Sequence, residues 1–112
     1  MSPRLKQTIA TEYALARQAE DGGRDAEAFH HLERAHILSQ RRTTAHVRSH
    51  LRMWGWAWRQ RRPGELLGQT TRIASAALFS RIWVPEGNTG GANVSALKPM
   101  PVPADLRDFL SR

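Results

Sequence analysis

The sequence predicts an all-α protein, a small bundle of two helical hairpins closed by an extended Gly/Pro-rich C-terminal arm. Three observations carry that prediction. Apolar residues recur at three- and four-residue spacing through roughly the first 80 positions. Asp21-Gly22-Gly23, Thr43-Thr44 and Pro63-Gly64 divide that pattern into four pieces of helical length. Beyond Trp83 the composition turns to Gly, Asn, Ser and Pro, which favour turns over regular elements. A chain of 112 residues has room for one core, so residues 1–112 read as a single helical domain.

Each element follows from its own signals. Ser2-Pro3 supplies a cap and a proline at the first helical position, and Leu5, Ile9, Tyr13 and Ala16 carry helix one over about 3–20. Asp25 can cap helix two, about 25–40, whose Ala28, Leu32, Ala35 and Ser39 form one line ending at Arg41-Arg42. Thr43-Thr44 opens helix three, about 44–60, with Val47, His50, Trp54, Ala57 and Trp58 on one side and Arg48, Arg52 and Arg59 opposite. Trp54 and Trp58 are expected in the core, and Trp56 on the arginine side. The Trp-x-Trp-x-Trp spacing also fits a strand, but only a helical period segregates the arginines. Leu66, Leu67, Thr70, Ile73, Ala74, Ala77 and Leu78 give helix four over about 64–80. The stretch 81–103 is expected to be irregular yet ordered, anchored by Trp83, Val84, Val94, Leu97 and Met100, before a short helix at 104–110 carrying Leu106, Phe109 and Leu110.

Leu15-Ala16, Ala19, Gly23, Ala28, Leu32 and Ala35 resemble a tetratricopeptide unit, the small-and-large spacing by which two antiparallel helices pack closely. A shift of 41 residues aligns Ala16, Gly23, Leu32 and Ala35 with Ala57, Gly64, Ile73 and Ala76, so the second hairpin should be built like the first. Two hairpins fall short of a solenoid, so the chain should close on itself or form a homodimer.

Charge and composition narrow the function. The net charge is +7, and Arg34 to Gly64 carries eight arginines with no Asp or Glu, so the rest of the chain is close to neutral. With no cysteine, disulfides, thiolate metal sites and Cys nucleophiles are excluded, and any metal must use His and carboxylates. Neither a signal peptide nor a membrane span is expected, since the longest apolar run, Ile73 to Phe79, is far below the roughly 20 residues needed. The expectation is a cytoplasmic protein.

Phe29-His-His-Leu-Glu-Arg-Ala-His-Ile-Leu-Ser-Gln40, read with His46, His50 and the segment Gly87 to Leu106, resembles a bacterial family known as domain of unknown function 3703. Leu32-Glu-Arg-Ala-His36 and Gly87-Asn-Thr-Gly-Gly-Ala-Asn-Val-Ser95 are the most specific segments, and the likeness spans nearly the full length. It implies a small bacterial protein and no particular activity.

The chemistry rests on histidines. His46 and His50 are one turn apart on helix three, and His31 and His36 flank the Ala28-Leu32-Ala35 line on helix two. An i, i+4 pair presents two imidazoles to one ion and a facing helix can complete the shell, so His36, His46 and His50 are candidate ligands, with Glu33 or His31 adding a fourth. Such donors suit Zn, Ni, Cu or Fe(II). Glu33-x-x-His36 has di-iron spacing, but the second copy, Glu27-x-x-His30, faces outward on the same helix, which argues against a di-iron centre. Without an ion, the same histidines would be core polar groups or a pH-responsive network.

Arg48, Arg52, Trp56 and Arg59 form a candidate partner or nucleic-acid surface. Gly87 to Asn93 lacks the Lys-Ser/Thr of a phosphate-binding loop and reads as structural. The leading expectation is therefore a metal-binding accessory protein. A protein-interaction adaptor with structural histidines comes second and nucleic-acid binding third, with binding ahead of enzymatic turnover because no nucleophile–base pair is present.

Overall fold

The computed structural model describes residues 1–79, 85–92, 94–95 and 98–110. Four long helices, α1 (Pro3–Asp21), α2 (Asp25–Ser39), α3 (Thr43–Arg59) and α4 (Pro63–Phe79), precede a 3₁₀ turn (Ala104–Leu106) and a last short helix, α5 (Arg107–Leu110). There is no strand among the described residues. α1 packs on α2 and α3 on α4 as two hairpins, and α2 against α3 joins them.

The ends of the helices follow local rules. Ser2 Oγ accepts a hydrogen bond from the Leu5 N–H at 3.1 Å, with Pro3 at the first helical position. Gly23 turns the chain out of α1 at φ +77°, and the Arg24 N–H then caps the Ala19 carbonyl at 2.8 Å. Arg61 takes the corresponding left-handed position after α3, at φ +54°, which lets the Arg62 N–H reach the Ala57 carbonyl at 2.8 Å. Arg24 and Arg42, not Asp25 and Thr43, stand at the N-caps of α2 and α3. The helices therefore begin one residue from where side-chain capping alone suggests.

Two apolar clusters lie along α2. Ala28 and Leu32 meet Ala16, Ala19, Met53, Trp56 and Ala57, with Phe29 and Tyr13 at the margin. Ala35, Ile37 and Leu38 meet Ile9, Leu106 and Leu110. Alanines at the crossings let helix axes approach closely, and the last short helix covers what two hairpins would leave open. Arg34 fastens it there, bonding Glu12 at 2.8 Å and Asp105 at 2.5 Å.

The tryptophans correct the expected face of α3. Trp56 is 6% exposed and in the core, its indole N–H donating to the Asp25 carbonyl at 3.1 Å, whereas Trp58 is 64% exposed and stacks on half-buried Trp54 with centroids 5.6 Å apart. At 100° per residue, Trp56 lies about 80° to one side of His46 and Trp58 about 120° to the other. Buried Ser49 is on the Trp56 side, and its hydroxyl bonds back to the His46 carbonyl at 2.6 Å. The α3 face is therefore set by His46, Ser49, His50, Met53 and Ala57, and three tryptophans two residues apart cannot all point inward.

The described residues of the arm before the 3₁₀ turn form no helix or strand and pack back onto the bundle. Gln40 is buried at the α2 end, where its amide donates to the Pro85 carbonyl at 3.0 Å and accepts from the Gly87 N–H at 3.1 Å. Val94 and Met100 are half-buried; the other expected anchors, Trp83, Val84 and Leu97, lie outside the described residues. No described helix is long and apolar enough to cross a membrane.

Candidate metal centre

α2 brings His36, and α3 brings His46 and His50, to one buried point. The three are 2%, 6% and 3% exposed. Their Nε2 atoms form a triangle: 3.0 Å from His36 to His46, 3.1 Å from His36 to His50, and 3.2 Å from His50 to His46. The rings do not stack face to face; ring centroids stand 4.6 to 4.9 Å apart at angles between 43° and 67°. Three nitrogen edges converge on a common centre.

Residues outside the triangle fix two of the tautomers. His36 Nδ1 is 2.9 Å from the Asn88 carbonyl, an acceptor only, so the nitrogen must donate. His50 Nδ1 is 2.6 Å from Gln69 Oε1. The Gln69 amide orientation is set by its other end, where Nε2 donates to Glu65 at 2.8 Å and to the Gly90 carbonyl at 2.7 Å. Oε1 is thus an acceptor and His50 Nδ1 also carries its proton. Neutral His36 and His50 then both present bare lone pairs at Nε2. His46 has one proton to offer and its Nδ1 is buried without a partner among the described residues. Wherever that proton sits, at least one lone pair faces another across about 3 Å.

Burial first, and the neighbouring imidazoles second, hold His36 well below the ordinary histidine pKa; the Asn88 carbonyl offsets this only in part. His46 is pushed down to about 4 by burial and by His50. Burial likewise brings His50 to about 4, against the opposing hydrogen bond to Gln69. All three are neutral near pH 7, the state in which imidazole binds a metal.

The arm builds one wall of this site. Asn88 is buried, its amide donating to the Ser95 and Lys98 carbonyls at 2.7 Å each, while its side-chain oxygen accepts from the Gly90 N–H at 2.9 Å. Gly90, at φ +83°, lies flat on the His36 imidazole, and a Cβ there would come within 2.7 Å of the ring. Among the described residues of this loop, Asn88 and Gly90 seat His36.

The remaining expected site residues go elsewhere. His31 Nδ1 pairs with buried Glu12 at 2.7 Å, facing α1. Among the described residues the group of donors consists of the three histidines, so Glu33 does not join it. Burial pushes the Glu33 carboxyl above the usual range, partly offset by the nearby Thr89 hydroxyl and reinforced by the charge of Glu65. His30 is exposed. On the supposed arginine surface, Arg59 is tied to Glu20 at 2.5 and 3.0 Å, and Arg52 lies 4.7 Å over the Tyr13 ring. Trp56 is buried, leaving Arg48 as the exposed residue of that set without a carboxylate or aromatic partner among the described residues.

Gln69, Asn88 and Gly90 are the residues that sequence reasoning missed. The run of Gly and Asn was a visible signal of turns, but nothing local says which side chain those turns would meet. No curated protein and no solved structure matches the chain. A family profile does match, over residues 3–110, and the chain therefore belongs to the family described as Protein of unknown function (DUF3703).

Proposed function

We propose that this protein binds one transition-metal ion through Nε2 of His36, His46 and His50, as a metal-binding accessory protein. The observation that carries the reading is the triangle of three nitrogens 3.0 to 3.2 Å apart, with the protons of two held on the far side of the ring. Three ligands of a tetrahedral Zn site, at about 2.0–2.1 Å from the ion, are about 3.3 Å from one another. The nitrogens need open by only a few tenths of an ångström, and an ion would resolve the lone-pair conflict that a neutral triad retains. Hydrogen bonds from the far nitrogens to a carbonyl and an amide oxygen are the usual way to orient ligating imidazoles. An all-imidazole set suits Zn, Ni, Cu or Fe(II), with a fourth position for water or an incoming ligand.

Elemental mass spectrometry of tag-free protein before and after chelator dialysis, with thermal unfolding in added Zn²⁺ or Ni²⁺, tests this. About one ion per chain, or a melting temperature raised by the ion in wild type but not in His46→Ala or His50→Ala, supports the reading. Metal-free protein indifferent to added ions refutes it, as does an equal loss on His30→Ala. In that event the second reading, an adaptor for a protein partner, gains from the exposed Trp58 stacked on Trp54 beside exposed Leu51.

A further inference from the structure

We propose that a second site, the groove between α1 and the first half of α3, binds a small organic anion, a phosphate or carboxylate carried on a flat apolar body. The groove is about 760 Å³, within the range of small-molecule pockets. Lys6, Arg41, Arg42, Arg48 and Arg52 line it, and no acidic residue does. Among these, Arg41 is neutralised by Glu86 at 2.6 Å. Lys6, Arg42, Arg48 and Arg52 make no ion pair among the described residues, in contrast to Arg24 with Glu27, Arg34 with Glu12 and Asp105, and Arg59 with Glu20. Four cations without a carboxylate partner among the described residues thus line one concavity.

The floor explains why the ligand should have an apolar body. Ile9, Ala10, Ala45 and the Tyr13 ring supply an apolar surface, and Arg52 lies 4.7 Å over that ring, stacked but with its N–H groups uncommitted to any carboxylate. The Tyr13 hydroxyl is buried beside the Ser39 hydroxyl, so the ring and not the hydroxyl is what Tyr13 offers to the groove. A nucleic-acid backbone would need a continuous track of free cations, and the ion pairs interrupt any such track beyond the groove. A compact anion needs only the converging set, and guanidinium groups bind phosphate and carboxylate through paired N–H donors.

This site does not depend on the metal reading, and the two fail separately. The probe is 1-anilinonaphthalene-8-sulfonate, titrated by fluorescence into metal-stripped full-length wild type and its variants. One saturable site is expected. Arg48→Glu should weaken it about tenfold or more, the loss of one charge-assisted contact, and Arg48→Gln somewhat less. Arg61→Glu, at the opposite end of α3, and His46→Ala should stay within about twofold, and circular dichroism should show every variant folded. The uncharged N-phenyl-1-naphthylamine should bind at least about tenfold more weakly than the sulfonate. Equal binding of the uncharged dye, or equal losses at Arg48 and Arg61, would overturn the proposal. So would tighter, steeply salt-dependent binding of a 20-mer oligothymidylate or of an oligoglutamate, which would assign the groove to a macromolecule.

Discussion

The two ends of α2 are buried to the same depth and built on opposite principles. At the N-terminal end, Ala28 and Leu32 close against Ala16, Ala19, Met53 and Trp56, contacts that are non-directional and tolerate small shifts. At the C-terminal end, beside the apolar Ile37 and Leu38, buried His36, Ser39 and Gln40 are equally inaccessible and are held by directed hydrogen bonds and imidazole edges. The first arrangement supplies stability by removing apolar surface from water. The second costs desolvation and yields position: three nitrogens fixed relative to one another within hydrogen-bond distance. A helix whose apolar packing runs on past the histidine, through Ala35, Ile37 and Leu38, is a stable support for a site that costs desolvation.

Five experiments test that contrast. The largest effect is expected at the polar end, where His36→Ala, His46→Ala or His50→Ala should each lower Zn²⁺ affinity by about 10³-fold or more by calorimetric titration, with the metal-free fold kept. At the apolar end, Leu32→Ala should cost about 2–4 kcal/mol in urea unfolding while leaving the metal stoichiometry of the folded fraction unchanged. Gln69→Leu keeps all three ligands but frees the His50 tautomer, so metal affinity should fall about 10- to 100-fold. A change under twofold would show that the hydrogen bond does not orient the ring.

Acid should act on the polar end alone. His46 and His50 are neutral in the fold down to about pH 4, whereas in the unfolded chain they protonate near the ordinary histidine value of 6.5. Between those values the unfolded state holds more protons, so stability of metal-free protein should decline as pH falls from about 6.5 toward 4 and show no slope from these groups above 6.5. His46→Leu should flatten the melting-temperature profile in that window and raise the metal-free melting temperature at pH 7, since it removes a buried nitrogen that has no partner among the described residues. The smallest effect is expected from Arg59→Ala, which removes a half-exposed ion pair to Glu20 and should change unfolding free energy by under about 1 kcal/mol.

What was legible beforehand divides along the same line. Helix limits, the two hairpins and the pairing of His36 with His46 and His50 all follow from periodicity, because they join residues within a turn or across one short connection. The face of α3 was misplaced because tryptophan weighs heavily in any apolar count, while Ser49, Met53 and Ala57 beside the histidines mark the buried side more faithfully. Gln69, Asn88 and Gly90 escaped for a different reason. Their roles depend on contacts spanning 19 to 54 positions, and a glycine or an amide has no local periodicity by which such a contact could be read. Trp83 and Leu97, expected as anchors of the arm, lie outside the described residues.

Asn88 ties the arm to itself and, through its carbonyl, to His36, a residue 52 positions earlier. Loop closure over such a span comes late in folding, after the local hairpins have formed. The arm therefore covers the ligand triangle through a long-range contact, and an ion held there would be enclosed beneath it. Its departure would then wait on the arm rather than on the strength of the competing chelator. Exchange would become first order in protein, with a rate that no longer rises once chelator is in excess.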